Sequence, residues 1–131
     1  MMSILVIEDE DRLRENIAQI LEFGDYQVYL AGSGMTGIEL AHQHHPDLIL
    51  CDIMMKQVDG FGVLEELRGD PSTAKIPFIF VTAKADRESM RHGMELGADD
   101  YVTKPFTTTE LLNAVSARLR RNNELRDHSE P

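Results

Sequence analysis

Three short runs in this chain are apolar at every position: Ile4-Leu5-Val6-Ile7, Leu48-Ile49-Leu50-Cys51 and Phe78-Ile79-Phe80-Val81. Such a run has no solvent face, so it suits a strand in a sheet covered on both sides. Each is followed by residues at helical spacing, and helical crossovers between parallel strands supply that cover. After the first run, Leu13, Ile17, Ile20 and Leu21 repeat helically, and Gly24 offers a C-terminal stop. Tyr26, Val28 and Leu30 alternate with Gln27 and Tyr29, as in a half-exposed edge strand. Met35, Ile38 and Ala41 mark a second helix ending near His45-Pro46. A loop from Ile53 to Asp59 precedes a third helix with Phe61, Leu64 and Leu67 inward, broken by Gly69-Asp70-Pro71. Asp86 caps a fourth helix carrying Met90, Met94 and Leu96 and closed by Gly97. Tyr101-Val102 is a short last strand. Thr107-Thr108-Thr109-Glu110 is a capping box for a fifth helix with Leu111, Val115 and Leu119 on one face.

Strand and helix thus alternate through five βα units. The three continuous apolar runs belong in the centre of the sheet, while the alternating second strand and the short fifth suit its edges. Strand order 2-1-3-4-5 satisfies this, giving a doubly wound, flavodoxin-like (βα)5 α/β fold with helices on both faces. Residues 1–121 form the expected domain. From Arg120 the chain turns charged and loses periodicity, so 122–131 are expected to be a charged C-terminal tail or the start of a linker.

The 131 residues carry 13 basic and 23 acidic side chains, a formal charge of −10. That sign disfavours direct contact with nucleic acid or an anionic membrane by this domain. The single cysteine, Cys51, lies inside an apolar run and reads as a small core residue. No signal peptide and no stretch of about 20 apolar residues is visible, so the expected location is the cytoplasm.

In the proposed topology the reactive residues share the carboxyl edge of the sheet, where open α/β sheets bind ligands. Glu8-Asp9 follow the first strand, Asp52 the third and Thr82 the fourth, and Lys104 lies just past the fifth. Asp52 is the candidate nucleophile toward a phosphoryl group. Carboxylates crowded at one edge repel each other, and a hard divalent cation relieves this with oxygen ligands. Asp9 and Asp52 are assigned as direct ligands and Glu8 as a ligand through water. Thr82 would donate its hydroxyl to a phosphoryl oxygen, and Lys104 would pair with Asp52 or the phosphate.

These residues carry a family pattern. Ile4-Leu5-Val6-Ile7-Glu8-Asp9-Glu10, Asp52-Ile53-Met54-Met55 with Asp59-Gly60, Val81-Thr82-Ala83, and Gly97-Ala98-Asp99-Asp100-Tyr101 before Lys104-Pro105-Phe106 occur in order. Over residues 3 to 121 the chain resembles the receiver (CheY-like) domain of two-component response regulators. The resemblance implies Mg²⁺, with Mn²⁺ able to replace it, and adds the Met54 backbone carbonyl as a metal ligand. It implies a cis bond before Pro105 and a phosphohistidine donor on a histidine kinase or phosphotransfer protein. It also implies a switch through Thr82 and Tyr101 that changes the surface of the fourth helix, fifth strand and fifth helix. That surface would bind an output domain, a partner protein or a second copy of the chain. Such a domain signals through phosphorylation and dephosphorylation of its own aspartate rather than by turning over a substrate.

Lys56 departs from the pattern, standing where many receivers have proline. Met54 and Lys84 occupy positions that tune dephosphorylation in the family. Gly93 inside the fourth helix costs about 1 kcal/mol relative to alanine and is expected to ease a helix shift. His42, His44 and His45 cluster at a helix end and read as surface residues. Two other readings share the sheet. A phosphatase of the haloacid dehalogenase type would use Asp9-Glu10-Asp11, but Lys104 follows Asp99-Asp100 rather than preceding it. A flavodoxin-like binding module needs a phosphate loop after the first strand, where Glu8 to Asp11 would repel one.

Overall fold

The computed structural model describes residues 1–129, with side chains described through residue 123. Its elements are β1 (Ser3–Ile7), α1 (Asp11–Phe23), β2 (Gln27–Ala31), α2 (Gly34–His44), β3 (Leu48–Cys51), α3 (Gly60–Arg68), β4 (Phe78–Thr82), α4 (Arg87–Leu96), β5 (Asp100–Thr103) and α5 (Thr108–Ser129). All strand pairings are parallel, in the order β2-β1-β3-β4-β5. The expected topology is the observed one. The apolar runs β1, β3 and β4 lie inside the sheet, buried on both faces.

Alternate residues of each strand enter two separate cores. Leu5, Ile7, Ile49, Cys51, Phe78 and Phe80 pack with Ala41 of α2 and Val63, Leu64 and Leu67 of α3. Ile4, Val6, Leu48, Leu50, Ile79, Val81 and Val102 pack with Ile17 and Leu21 of α1 and Leu111, Val115 and Leu119 of α5. At the β2 edge the alternation is imperfect. Tyr29 joins the first core, while Leu30 stays 41% exposed.

Three methionines of the helical patterns lie outside the core. Met35 of α2 and Met90 and Met94 of α4 are exposed, although they fall in register with inward residues of their helices. The inward positions are small instead: Gly34, Gly37 and Ala41 in α2, and Ser89 and Gly93 in α4. A Cβ on Gly37 would stand 2.5 Å from Ile7 Cδ1, so the helix packs there by lacking a side chain. The capping box of α5 is reciprocal: Thr107 Oγ1 accepts from the Glu110 amide at 3.0 Å and Glu110 Oε1 accepts from the Thr107 amide at 3.1 Å. From there α5 remains helical past Arg121, through the segment expected as tail. The last two positions of that tail, 130–131, lie outside the described residues. Among the described residues, no helix is long and apolar enough to cross a membrane.

Candidate functional site

The β1–β3 register, Ile7 opposite Cys51, brings the next residues, Glu8 and Asp52, side by side at the carboxyl edge. Both are buried: Glu8 is 2% exposed and Asp52 7%. Two carboxylates in low dielectric require a counter-charge. It comes from Lys104, one residue beyond β5. Its Nζ donates to Glu8 Oε1 at 2.9 Å and to Asp52 Oδ2 at 2.8 Å. The Lys104 backbone amide donates to the Thr82 carbonyl at 3.0 Å, and the Lys104-Pro105 bond is cis.

The electrostatics follow from this burial. Desolvation pushes the Glu8 carboxyl above its ordinary 4.5, and the hydrogen bonds from Lys104 and the Glu10 amide only partly offset it. Burial acts to lower the Lys104 ammonium, but hydrogen bonds to Asp52 and Glu8 prevail and hold it above 10.5. One ammonium is shared between the two carboxylates, so ionised they carry one more negative charge than the lysine balances. Among the described residues no three His, Cys, Asp or Glu side chains form a ready-made metal cage. The assigned set does not need one, since Mg²⁺ takes one or two carboxylates together with carbonyl, water and phosphate oxygens. An all-oxygen donor set with uncompensated negative charge fits such an ion.

The other candidates lie at the ends of β1 and β4 and in the loop after β3. Asp9 is exposed, and its Oδ2 accepts a long 3.4 Å bond from the Lys56 amide. Met54 is 63% exposed, and its amide donates to Asp52 Oδ1 at 3.3 Å. Thr82 ends β4 fully buried, with Oγ1 accepting from the Lys84 amide at 3.1 Å. Asp9, Met54, Lys56 and Lys84 line one shallow cleft over the β3–α3 loop. In that loop Gln57 adopts φ +64°, a left-handed conformation that favours glycine.

Tyr101 lies farther out on β5. Its ring packs 5.2 Å from Phe80, and its hydroxyl donates to the Ser89 carbonyl of α4 at 2.9 Å. The hydroxyl fills the space left by Gly93, where a Cβ would come within 2.1 Å of Tyr101 Oη. The three histidines have different surroundings. His44 stacks on Tyr29 at 4.1 Å, His42 lies 3.8 Å from Asp70, and His45 adopts φ +47° as the cap of α2.

Sequence reasoning missed two arginine-centred arrangements. Arg14 of α1 donates to the Glu8 carbonyl at 2.8 Å and to Asp11 Oδ1 at 2.7 Å. The Asp11–Arg14 spacing signals only an ion pair, not the backbone bond. At the opposite edge of the sheet, Asp99 accepts from the Phe78 amide and from Arg68 and Arg118. Asp99 was visible as part of a motif, but its partners lie too far along the chain to be inferred.

A sequence model described as the response regulator receiver domain matches residues 4–116. The chain belongs to that family. The receiver domain is 42% identical over 125 residues to the "DNA-binding dual master transcriptional regulator RpaA" of Synechocystis, covering 95% of this chain and 52% of that protein. It is 40% identical over 121 residues to the "Probable transcriptional regulator ycf27" of Guillardia theta, covering 92% and 46%. The chain thus spans about half the length of these curated relatives. Among solved structures it resembles a CheY-like receiver domain protein from Methanospirillum hungatei, with TM-score 0.89 and 27% identity over 95% of this chain and 98% of that one. A receiver domain from Clostridium thermocellum gives TM-score 0.88 and 28% identity over 95% and 99%. The receiver domain is a signalling domain of two-component response regulators. The phosphatase and flavodoxin-module readings are left without support.

Proposed function

We propose that this receiver domain accepts a phosphoryl group on Asp52 from a phosphohistidine of a histidine kinase or phosphotransfer protein. Once modified, it presents the face formed by α4, β5 and α5 to an output domain or partner protein. The observation carrying this reading is the Lys104 ammonium bridging Glu8 and Asp52 where β1, β3 and β5 end. In the transfer, an Asp52 carboxylate oxygen bonds to phosphorus as the phosphorus–nitrogen bond to the donor imidazole breaks. The bonding pair returns to the ring, which takes a proton from solvent. Later, water attacks phosphorus, the phosphorus–oxygen bond breaks, and Asp52 is restored with release of phosphate and a proton. Asp9, Asp52 and the Met54 carbonyl would hold Mg²⁺, with Glu8 acting through water. When bound, the ion supplies charge neutralisation on the transferring phosphoryl oxygens.

Lys104 would move from bridging two carboxylates to pairing with a phosphate oxygen, a stronger charge-assisted bond. Thr82 would turn its hydroxyl from the Lys84 amide toward the phosphoryl group, and Tyr101 would report the change to α4. The names of the relatives support an output in transcription, and we place the domain in the cytoplasm. Its own charge of −10 does not suit DNA contact by this domain.

Incubation with acetyl phosphate and Mg²⁺, followed by intact-mass measurement, tests the reading. The wild type is expected to gain about 80 Da, one phosphoryl group. Asp52→Asn and samples with chelator are expected to gain nothing. Equal labelling of Asp52→Asn would overturn the assignment.

A further inference from the structure

Arg14 makes contacts that an ordinary surface ion pair does not explain. Its side chain is four-fifths buried, whereas its partner Asp11 is 89% exposed. The pair alone, solvated on one side, is worth little. The second contact differs in kind: Arg14 Nη1 donates at 2.8 Å to the backbone carbonyl of Glu8. The guanidinium also lies against Gly32 at the end of β2, where a Cβ would stand 3.3 Å from Nη1. Arg14 therefore joins α1, the β1–α1 turn and the loop after β2.

That turn carries Glu8 and Asp9, whose side chains are held by Lys104 and the Glu10 amide and, through a long bond, by the Lys56 amide, while the carbonyl of the peptide between them is bonded by Arg14. Glu10 caps α1 without a side-chain hydrogen bond. The Glu8 amide donates to the Ala31 carbonyl at 3.0 Å, anchoring one side of Glu8. The Glu8 carbonyl belongs to the next peptide plane, which leads directly into Asp9. Because a peptide unit is planar and includes the Asp9 Cα, anchoring its oxygen restrains the plane and leaves rotation about the Asp9 N–Cα bond to direct the side chain.

We infer that Arg14 is a positioning residue, holding the Glu8–Asp9 peptide so that the Asp9 carboxylate is aimed at the cation site beside Asp52. This deepens the proposed function and rests on its assignment of Asp9 as a cation ligand. The arginine acts through the backbone that presents the ligand.

The test exploits a difference of sign. Arg14→Met removes a positive charge near a carboxylate cluster, and on field effects alone it would tighten cation binding. Loss of positioning weakens it. Mg²⁺ affinity is measured by calorimetric titration at constant ionic strength on the wild type, Arg14→Met and Arg14→Lys, with urea stability on the same samples. Arg14→Met is expected to bind Mg²⁺ about tenfold more weakly, the scale seen when groups orienting metal ligands are removed. Arg14→Lys keeps the charge and one donor to the carbonyl, and is expected to fall between the two. Equal or tighter Mg²⁺ binding by Arg14→Met overturns the inference, as does a loss of stability with unchanged affinity. If Arg14→Met does not fold, wild-type affinity in Arg14→Lys overturns it. A wild type that binds no Mg²⁺ at all sinks the cation assignment and this inference together, a separately recognisable result.

Discussion

Glu8 is held against its own solvation. Its carboxyl is raised by burial, so the folded protein keeps a proton on Glu8 to higher pH than the unfolded chain does. Wild-type stability contributed at this residue is present below the ordinary glutamate range and falls as pH rises through the raised value. Glu8→Gln removes that dependence. Urea unfolding is expected to find the variant more stable than wild type at pH 7, with the gap closing as pH falls from the raised value toward 4.5. Lys104 behaves in the opposite range: its contribution is complete below 10.5 and is lost only as pH climbs past its raised value. Lys104→Met leaves two buried carboxylates facing each other. We expect a loss of about 2 kcal/mol, below the full cost of breaking a buried pair because the lysine keeps partial solvent access. Added Mg²⁺ should restore much of it, measurable as a shift in the urea midpoint with and without the ion. The positions of Glu8 and Asp52 were legible from the sequence because each directly follows an apolar strand, and that of Lys104 because it lies just past the short Tyr101-Val102 run. The Arg14 bond to a carbonyl was not, since an arginine three residues after an aspartate looks the same whether or not it reaches the backbone.

Helix α4 shows how packing by absence escapes pattern reading. Hydrophobic periodicity directs attention to Met90 and Met94, yet Ser89 and Gly93 face the sheet. A mid-helix glycine costs helical propensity, and flexibility was one explanation for accepting that cost. The packing supplies another: Gly93, by lacking a Cβ, makes room for the Tyr101 hydroxyl, which then bonds to the Ser89 carbonyl. Gly93→Ala must displace Tyr101 or the helix. An expected loss of 1–3 kcal/mol, roughly that of overpacking a tight contact, should appear in urea denaturation. The near-ultraviolet circular dichroism of tyrosine should change with it. A variant as stable as wild type with an unaltered tyrosine signal would show that the slot is not tight. Helix α5 is the contrasting case. Its capping box was readable because the two partners lie three residues apart, within one turn.

Across the whole molecule, the two edges of the sheet do different work. The carboxyl edge gathers the reactive groups, while the amino edge is braced by Asp99, which joins the start of β4 to α3 and α5. Asp99→Ala strands Arg68 and Arg118 without their shared carboxylate. We expect about 2–4 kcal/mol of lost stability, below the cost of breaking a fully buried pair because the three side chains are about one-fifth exposed. Phosphoryl uptake from acetyl phosphate, scored by intact mass, should still proceed under conditions where the variant is folded. Strand order was legible because three continuous apolar runs must be interior and the two remaining strands must be edges. The brace was not, because it depends on arginines 31 and 19 residues away from Asp99. Lys104 combines a short backbone bond to Thr82 with an ammonium that spans Glu8 and Asp52. The end of the last strand is thereby tethered to the residue whose charge would change. A gain of negative charge there would be felt as a pull on that tether, so news of the event would need to travel only one side chain's length to reach the far border of the sheet.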